Sequence, residues 1–192
     1  MEPAELIAAA LYDDPMFGFI QPDDLRRRKL LAWYVPRVVR RTEAKGRLDV
    51  VPDCAAAIWI PPTSTLRPPL ISWTSLLVAP GRLGLAALQR AMEFAAAVDE
   101  ASRDQAPGSW RLMHVAVAPS VRSRGHAAEV LAGTLAEADA GGLRCFVAAT
   151  SEPAVAFLST QGFEVAHHLR VEGLPQFWTM MREPRTDPPP RT

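Results

Sequence analysis

Apolar positions in the first part of the chain keep a helical period. Leu6, Ile7, Ala10 and Leu11 fall on one side of a helical projection, which predicts a short helix over residues 3–11. Asp13-Asp14-Pro15 ends it, because proline disfavours helical backbone in the residue before it. A longer helix is predicted from Pro22-Asp23-Asp24, with acids in its first turn and Arg37, Arg40 and Arg41 towards its end, the polarity a helix dipole favours. Pro36 predicts a kink or a division of that helix. The period then changes. Residues 48–51 and 55–60 read as two strands joined by a turn at Pro52-Asp53, and the proline-rich stretch 61–69 reads as a loop. Helical spacing returns over residues 82–102, where Leu83, Ala87, Met92, Ala95 and Val98 lie near one side.

The second half carries a more regular pattern. A buried strand is predicted at 112–117, followed by a loop at 118–124 and a helix at 125–140 that stops at Gly141-Gly142. A strand at 145–149, a short helix at 152–160 ended by Gly162, and two strands near 163–170 and 176–182 complete the order. The tail from Pro184 (PRTDPPPRT) is proline-rich and charged, so residues 184–192 are expected to be disordered beside one domain at 1–183. No internal repeat is present. The expected class is α/β, with a β-loop-α-β core and a terminal antiparallel pair.

Composition narrows the functional classes. A single domain of 192 residues buries close to 70% of its unfolded surface, enough for a core without disulfides or metals. The formal net charge of zero argues against a nucleic-acid binder, whose affinity rests on clustered positive charge. Cys54 and Cys145 are far apart and form no C-x-x-C unit, which disfavours zinc and leaves two reduced thiols. No apolar run reaches the ~18 residues of a membrane span, and the opening segment MEPAELIAAALYDD is acidic where a secretion signal would be basic. A cytoplasmic protein with no nucleic-acid or membrane partner is expected.

The chemistry concentrates in RLMHVAVAPSVRSRGHAAEVL, residues 111–131. A strand delivers the chain to a tight loop that feeds a helix N-terminus, and Arg122-Ser123-Arg124-Gly125-His126-Ala127 has the form R-x-x-G-x-A. Backbone N–H groups of such a loop, together with the helix dipole, suit a diphosphate. The segment lacks the GK[ST] of a P-loop and the GxGxxG of a dinucleotide fold. Taken alone, a lone R-x-x-G-x-A is more often a surface loop with solvated arginines.

Further residues in order make the pattern specific: Val115, Val117 and Pro119 as V-x-V-x-P, then the loop at 122–127, a strand ending near Thr150-Ser151, and FLSTQGF at 157–163. With these the chain resembles the GNAT superfamily of N-acetyltransferases. AIWIPP at 57–62, Trp110 and EGLPQFWTMMREP at 172–184 bring it nearest to the puromycin N-acetyltransferase-like branch. The resemblance implies a single-domain GNAT-type fold with a mixed, mostly antiparallel central sheet, splayed at the cofactor strand and flanked by helices. It implies acetyl-CoA as cofactor, held by backbone of Val115, Ala116 and Val117 and by Arg122, Ser123, Arg124, Gly125, His126 and Ala127. It also implies a β-bulge that aims an N–H at the thioester carbonyl. The acceptor would be the primary amine of a small molecule, an antibiotic or a metabolite.

Three positions depart from the family. Leu158 stands where a tyrosine often protonates the leaving thiolate, Ala154 where an asparagine is frequent, and Ala148 where the puromycin-type branch has a glutamate. His114, next to Val115, is then the candidate base; the alternative is a histidine packed with its nitrogens satisfied. Phe17 and Trp33 come from the region that usually caps the acceptor site, as pocket lining or as core. His167 and His168 point to opposite faces of a strand and cannot ligate one metal together. Cys145 reads as an inert core thiol. Two other functions fit the same residues: an acyl-CoA-binding module of weak activity, and a protein or peptide N-acetyltransferase. The pattern opens on a helix where relatives usually begin with a strand, which would leave a sheet edge that a homodimer could cover.

Overall fold

The computed structural model describes residues 2–64, 84–122 and 124–185. Its elements are α1 (Pro3–Leu11), α2 (Pro15–Ile20), α3 (Asp24–Lys45), β1 (Arg47–Val51), β2 (Ala55–Ile60), α4 (Leu85–Ala101), β3 (Trp110–Val117), α5 (His126–Ala140), β4 (Cys145–Ala149), α6 (Glu152–Thr160), β5 (Glu164–Leu169) and β6 (Phe177–Arg182). Most of these lie where the hydrophobic pattern puts them. The greater part of the 61–69 loop, the start of the 82–102 helix and the tail beyond 185 fall outside the described residues.

Helix α2 is the element the pattern does not predict. Pro15 ends α1 and also opens α2: it stands at the first helical position, where its missing N–H costs nothing, and the Asp14 side chain accepts from Met16 N at 2.8 Å. Pro36 does not divide α3, which runs unbroken to Lys45. The Arg37 guanidinium donates to the Trp33 carbonyl at 2.7 Å, satisfying an acceptor in the turn that proline disturbs. Asp23 caps the start of α3 by accepting from Arg26 N at 2.8 Å.

Among the described residues, six strands form one mixed sheet in the order β1-β2-β3-β4-β6-β5, in which the β3–β4 pair is parallel and the other pairs are antiparallel. Helices α1 to α4 contribute to the core on one face, with Leu6, Phe17, Leu30, Tyr34 and Ala91 packed against Ala56, Ile58 and Ala116. Helices α5 and α6 cover the other face, where Leu131, Leu135 and Leu158 meet Ala57, Trp59 and Val147. All six residues of β2 are buried, as a strand covered on both faces requires. This is the single-domain α/β arrangement expected from the sequence. At the far side, Arg182 binds Asp139 through two parallel contacts of 2.7 Å and ties β6 to α5. No helix among the described residues is long and apolar enough to cross a membrane.

Candidate active site

Strand β3 builds the site by parting from its neighbour. It pairs with β4 only over Trp110–Leu112, opposite Cys145–Val147, and then continues to Val117 with no β4 partner. On its other edge it stays paired with β2 from Arg111 to Val117, but with one irregularity. Ile58 pairs with His114 while Trp59 pairs with Leu112, so Met113 is an extra residue on β3.

That single insertion changes which side chains face which layer. Before the bulge, Trp110 and Leu112 face the α5–α6 core; after it, Val115 and Val117 do. Met113 and Ala116 both face the α1–α4 side, and His114 joins them there, packed against Phe17 and Tyr34. The bulge therefore sits where the sheet opens, and it aims His114 at the helices instead of into the α5–α6 core. A strict alternation from Leu112 would have sent His114 the other way.

Beyond β3, Ala118 N donates to the Cys54 carbonyl at 2.8 Å, and a short 3-10 turn at Pro119–Val121 leads to the loop. Arg122, Arg124 and Gly125 are exposed. Gly125 caps α5 with φ of 87°, a left-handed conformation that an L side chain adopts only under strain. The Gly125 carbonyl accepts from Ala128 N and Glu129 N, so the N–H groups ahead of them belong to the open end of the helix. His126 is half-buried and bound through Nδ1 to Glu129 at 2.9 Å, which engages that side chain with its own helix. Ala127 lies in the same first turn, half-buried. Ser123 lies outside the described residues.

On the α1–α4 side, a cavity of about 590 Å³ lies beside the opening of the sheet. Met16, Ile60, Phe94, Val98 and Phe146 give it an apolar wall. Its polar groups near the opening are His114, Tyr34, Asp14 and Thr150. The Tyr34 hydroxyl and His114 Nε2 share a hydrogen bond at 3.2 Å. Burial holds the His114 imidazole well below its ordinary pKa, at about 4, and pushes the Tyr34 phenol up. Asp14 accepts from Thr150 Oγ1 at 2.8 Å across 136 positions of sequence, and Thr150 directly follows the last residue of β4. Burial raises the Asp14 carboxyl above the usual carboxylate range, outweighing the hydrogen bonds from Thr150, Met16 and Phe17 that act to lower it.

The structure thus brings His114 and the loop at 122–127 to the two ends of β3's unpaired stretch. It places Phe17 and Trp33 in the core: Phe17 is fully buried behind Tyr34 and His114, Trp33 is 7% exposed, and neither lines the cavity. Ala148 does line it. Leu158 is buried in the other core. Cys145 is fully buried, and burial pushes its thiol up to about 11, consistent with an inert residue. His167 faces Thr179 at 3.3 Å while His168 stacks on Trp178, on opposite faces as period-two alternation requires.

Three of the four polar groups near the opening escape the sequence reading, Thr150 being read only as the end of a strand. Asp14 before Pro15 carries a clear signal, but for a helix boundary, and that reading absorbs it. Tyr34 reaches His114 across 80 positions, with no local signal at all.

No known protein-family profile matches the chain, and no curated protein does. Solved structures do resemble it. The histone acetyltransferase HPA2-related acetyltransferase of Corynebacterium glutamicum superposes with a TM-score of 0.66 at 18% identity, over 96% of this chain and 91% of that one. Drosophila melanogaster polyamine N-acetyltransferase, an enzyme that forms N-acetylagmatine, gives 0.52 at 17% identity, over 94% of each chain. An agmatine N-acetyltransferase gives 0.53 at 18% identity, again over 94% of each. The chain has the fold of the GNAT acetyltransferases.

Proposed function

We propose that the chain is an acetyl-CoA-dependent N-acetyltransferase of the cytoplasm, with a catalytic domain at 1–183 whose acceptor is the primary amine of a small molecule. The observation that carries this reading is the bulge at Met113. It coincides with the point where β3 leaves β4, and it turns His114 to the cavity side at that opening.

The residues present fit the cofactor. The open edge of β3 at Val115, Ala116 and Val117 suits an extended amide-bearing arm that adds as a strand. The end of α5 suits its diphosphate: Arg122 and Arg124 supply charge, and the N–H groups of Gly125, His126 and Ala127 supply donors. When bound, acetyl-CoA supplies the acetyl group activated as a thioester. His114 is assigned to receive the acceptor's proton in a second step, through water or from a neighbouring group. Its depressed pKa keeps it unprotonated at neutral pH, and the bond to Tyr34 fixes its ring.

The cavity volume falls in the range of small-molecule sites, which supports an antibiotic or metabolite amine over a protein tail. The polyamine and agmatine acetyltransferases of the same fold act on amines. The segments at 57–62 and 172–184 support the puromycin-type branch, so puromycin belongs in any acceptor panel. The test is calorimetry with acetyl-CoA on the full chain and on Gly125→Val. Binding that the substitution weakens at least tenfold supports the assignment; equal affinity, or none in either protein, contradicts it.

A further inference from the structure

Strand β4 brings no acid to the opening, since Ala148 and Ala149 precede Thr150 there. The fold delivers one from elsewhere. The turn between α1 and α2 places Asp14 against Thr150, with Oδ2 accepting from Oγ1 at 2.8 Å and Oδ1 accepting from Met16 N at 2.8 Å. The carboxyl is part-buried, and it lines the same cavity as His114. Its charge is opposed by no ion pair with a basic side chain among the described contacts. An acid withdrawn from water and left without a cation is costly to the fold, and such groups concentrate at sites where a ligand supplies the missing charge.

We infer that Asp14 anchors the ammonium group of the acceptor and is the first station for its proton, which defines the acceptor class as a cationic amine with an apolar body. The inference rests on the acyl-transfer reading above and adds its specificity. The step balances simply. One N–H bond of the ammonium breaks, one O–H bond forms on the Asp14 carboxyl, and the electron pair stays on nitrogen. A carboxylate and an ammonium become two neutral groups, and the cavity disfavours charge on both. His114, a weak base at a pKa of about 4, is poorly matched to taking that proton first, whereas burial makes Asp14 a stronger base than an ordinary aspartate. The other charged or titratable groups lining the cavity are His114, Tyr34, Asp99, Arg103 and Arg111. Arg103 pairs with Glu100.

The test uses a matched pair of probes, phenethylamine and 2-phenylethanol, which share a body and differ in the charged group. Affinities are measured by calorimetry at pH 7 on the full-length chain, on Asp14→Asn and on Thr150→Val. Asparagine is as good a helix cap as aspartate: its Oδ1 keeps the contact from Met16 N, and its Nδ2 donates to Thr150 Oγ1 where the carboxylate oxygen accepted, so Asp14→Asn removes the charge and keeps both partners. Wild type is expected to prefer the amine over the alcohol. Asp14→Asn should lose at least tenfold in amine affinity with the alcohol unchanged, and Thr150→Val should keep the preference within about threefold, about 0.7 kcal/mol. Equal amine affinity in wild type and Asp14→Asn would overturn the inference, and so would a wild type with no preference for the amine. Acetyl-CoA affinity is measured on the same samples. Its absence would sink the acyl-transfer reading without touching the charge comparison, and a normal value beside an indifferent Asp14→Asn would sink the Asp14 assignment alone.

Discussion

The two sides of the sheet opening present titratable groups that respond to one cause in opposite directions. On the β3 side stands His114, whose imidazole burial drives to about 4; on the β4 side stands Asp14, whose carboxyl burial drives upward. Each moves towards its neutral form, because removal from water penalises charge of either sign. The difference teaches what the cavity would do to a third group. An ammonium entering it is pushed towards the neutral amine, the only form with a free electron pair for acyl transfer. Asp14 offers charge compensation on entry and a place for the proton, while His114 and Tyr34 offer a neutral hydrogen-bonded pair.

The comparison can be broken at four points, here in falling order of effect. His114 has a folded pKa below its unfolded value of about 6.5, so the unfolded chain takes up the proton first as pH falls. Stability that His114 preserves above pH 6.5 is lost as pH drops through that window to about 4, by on the order of 3 kcal/mol. His114→Gln should flatten this acid limb in urea unfolding measured across pH, and an unchanged limb would show that the imidazole is not buried as described. Gly125→Val forces a β-branched residue to φ of 87°, so it should cost about 2 kcal/mol of stability beyond its loss of acetyl-CoA affinity. Gly125→Asn, which tolerates that conformation, should retain cofactor binding.

Tyr34→Phe removes one buried hydrogen bond to His114 and should cost about 1 kcal/mol, with acetyl-CoA affinity intact. A loss of cofactor binding there would place Tyr34 on the wrong side of the opening. Asp14→Asn gives the smallest change and the opposite sign. The folded pKa of Asp14 lies above the ordinary value, so its charge opposes folding at neutral pH, and its removal should raise the thermal midpoint. That advantage should vanish as pH falls through the raised pKa towards 3.8, where wild type is neutral too. A variant less stable than wild type at pH 7 would mean that the hydrogen bonds outweigh the burial.

How much of this was legible in the chain depends on whether a feature is local. The loop at 122–127 is contiguous, its glycine is required by a left-handed cap, and the sequence alone locates it. The strand and helix periods likewise place β2, β3, α5 and β4 within a few residues. The cavity side is different. Asp14, Tyr34, His114 and Thr150 come from four elements spread over 136 positions, and only packing brings them together. The bulge at Met113 is also invisible to alternation, because VAV after MH reads the same whichever face His114 takes. Phe17 and Trp33, which the sequence leaves as pocket lining or as core, pack in the core: large apolar residues near a site are as readily claimed by the core as by a ligand.

The most direct test of the central claim is thiol release from acetyl-CoA by the full-length chain, followed over a panel of amines that includes agmatine, phenethylamine and puromycin. Release that requires an amine, and that Gly125→Val abolishes, is the predicted result. Acetyl-CoA that binds but is never consumed by any amine would contradict the account, and would leave the opened strand of this fold as a place where acyl-CoA is held and not used.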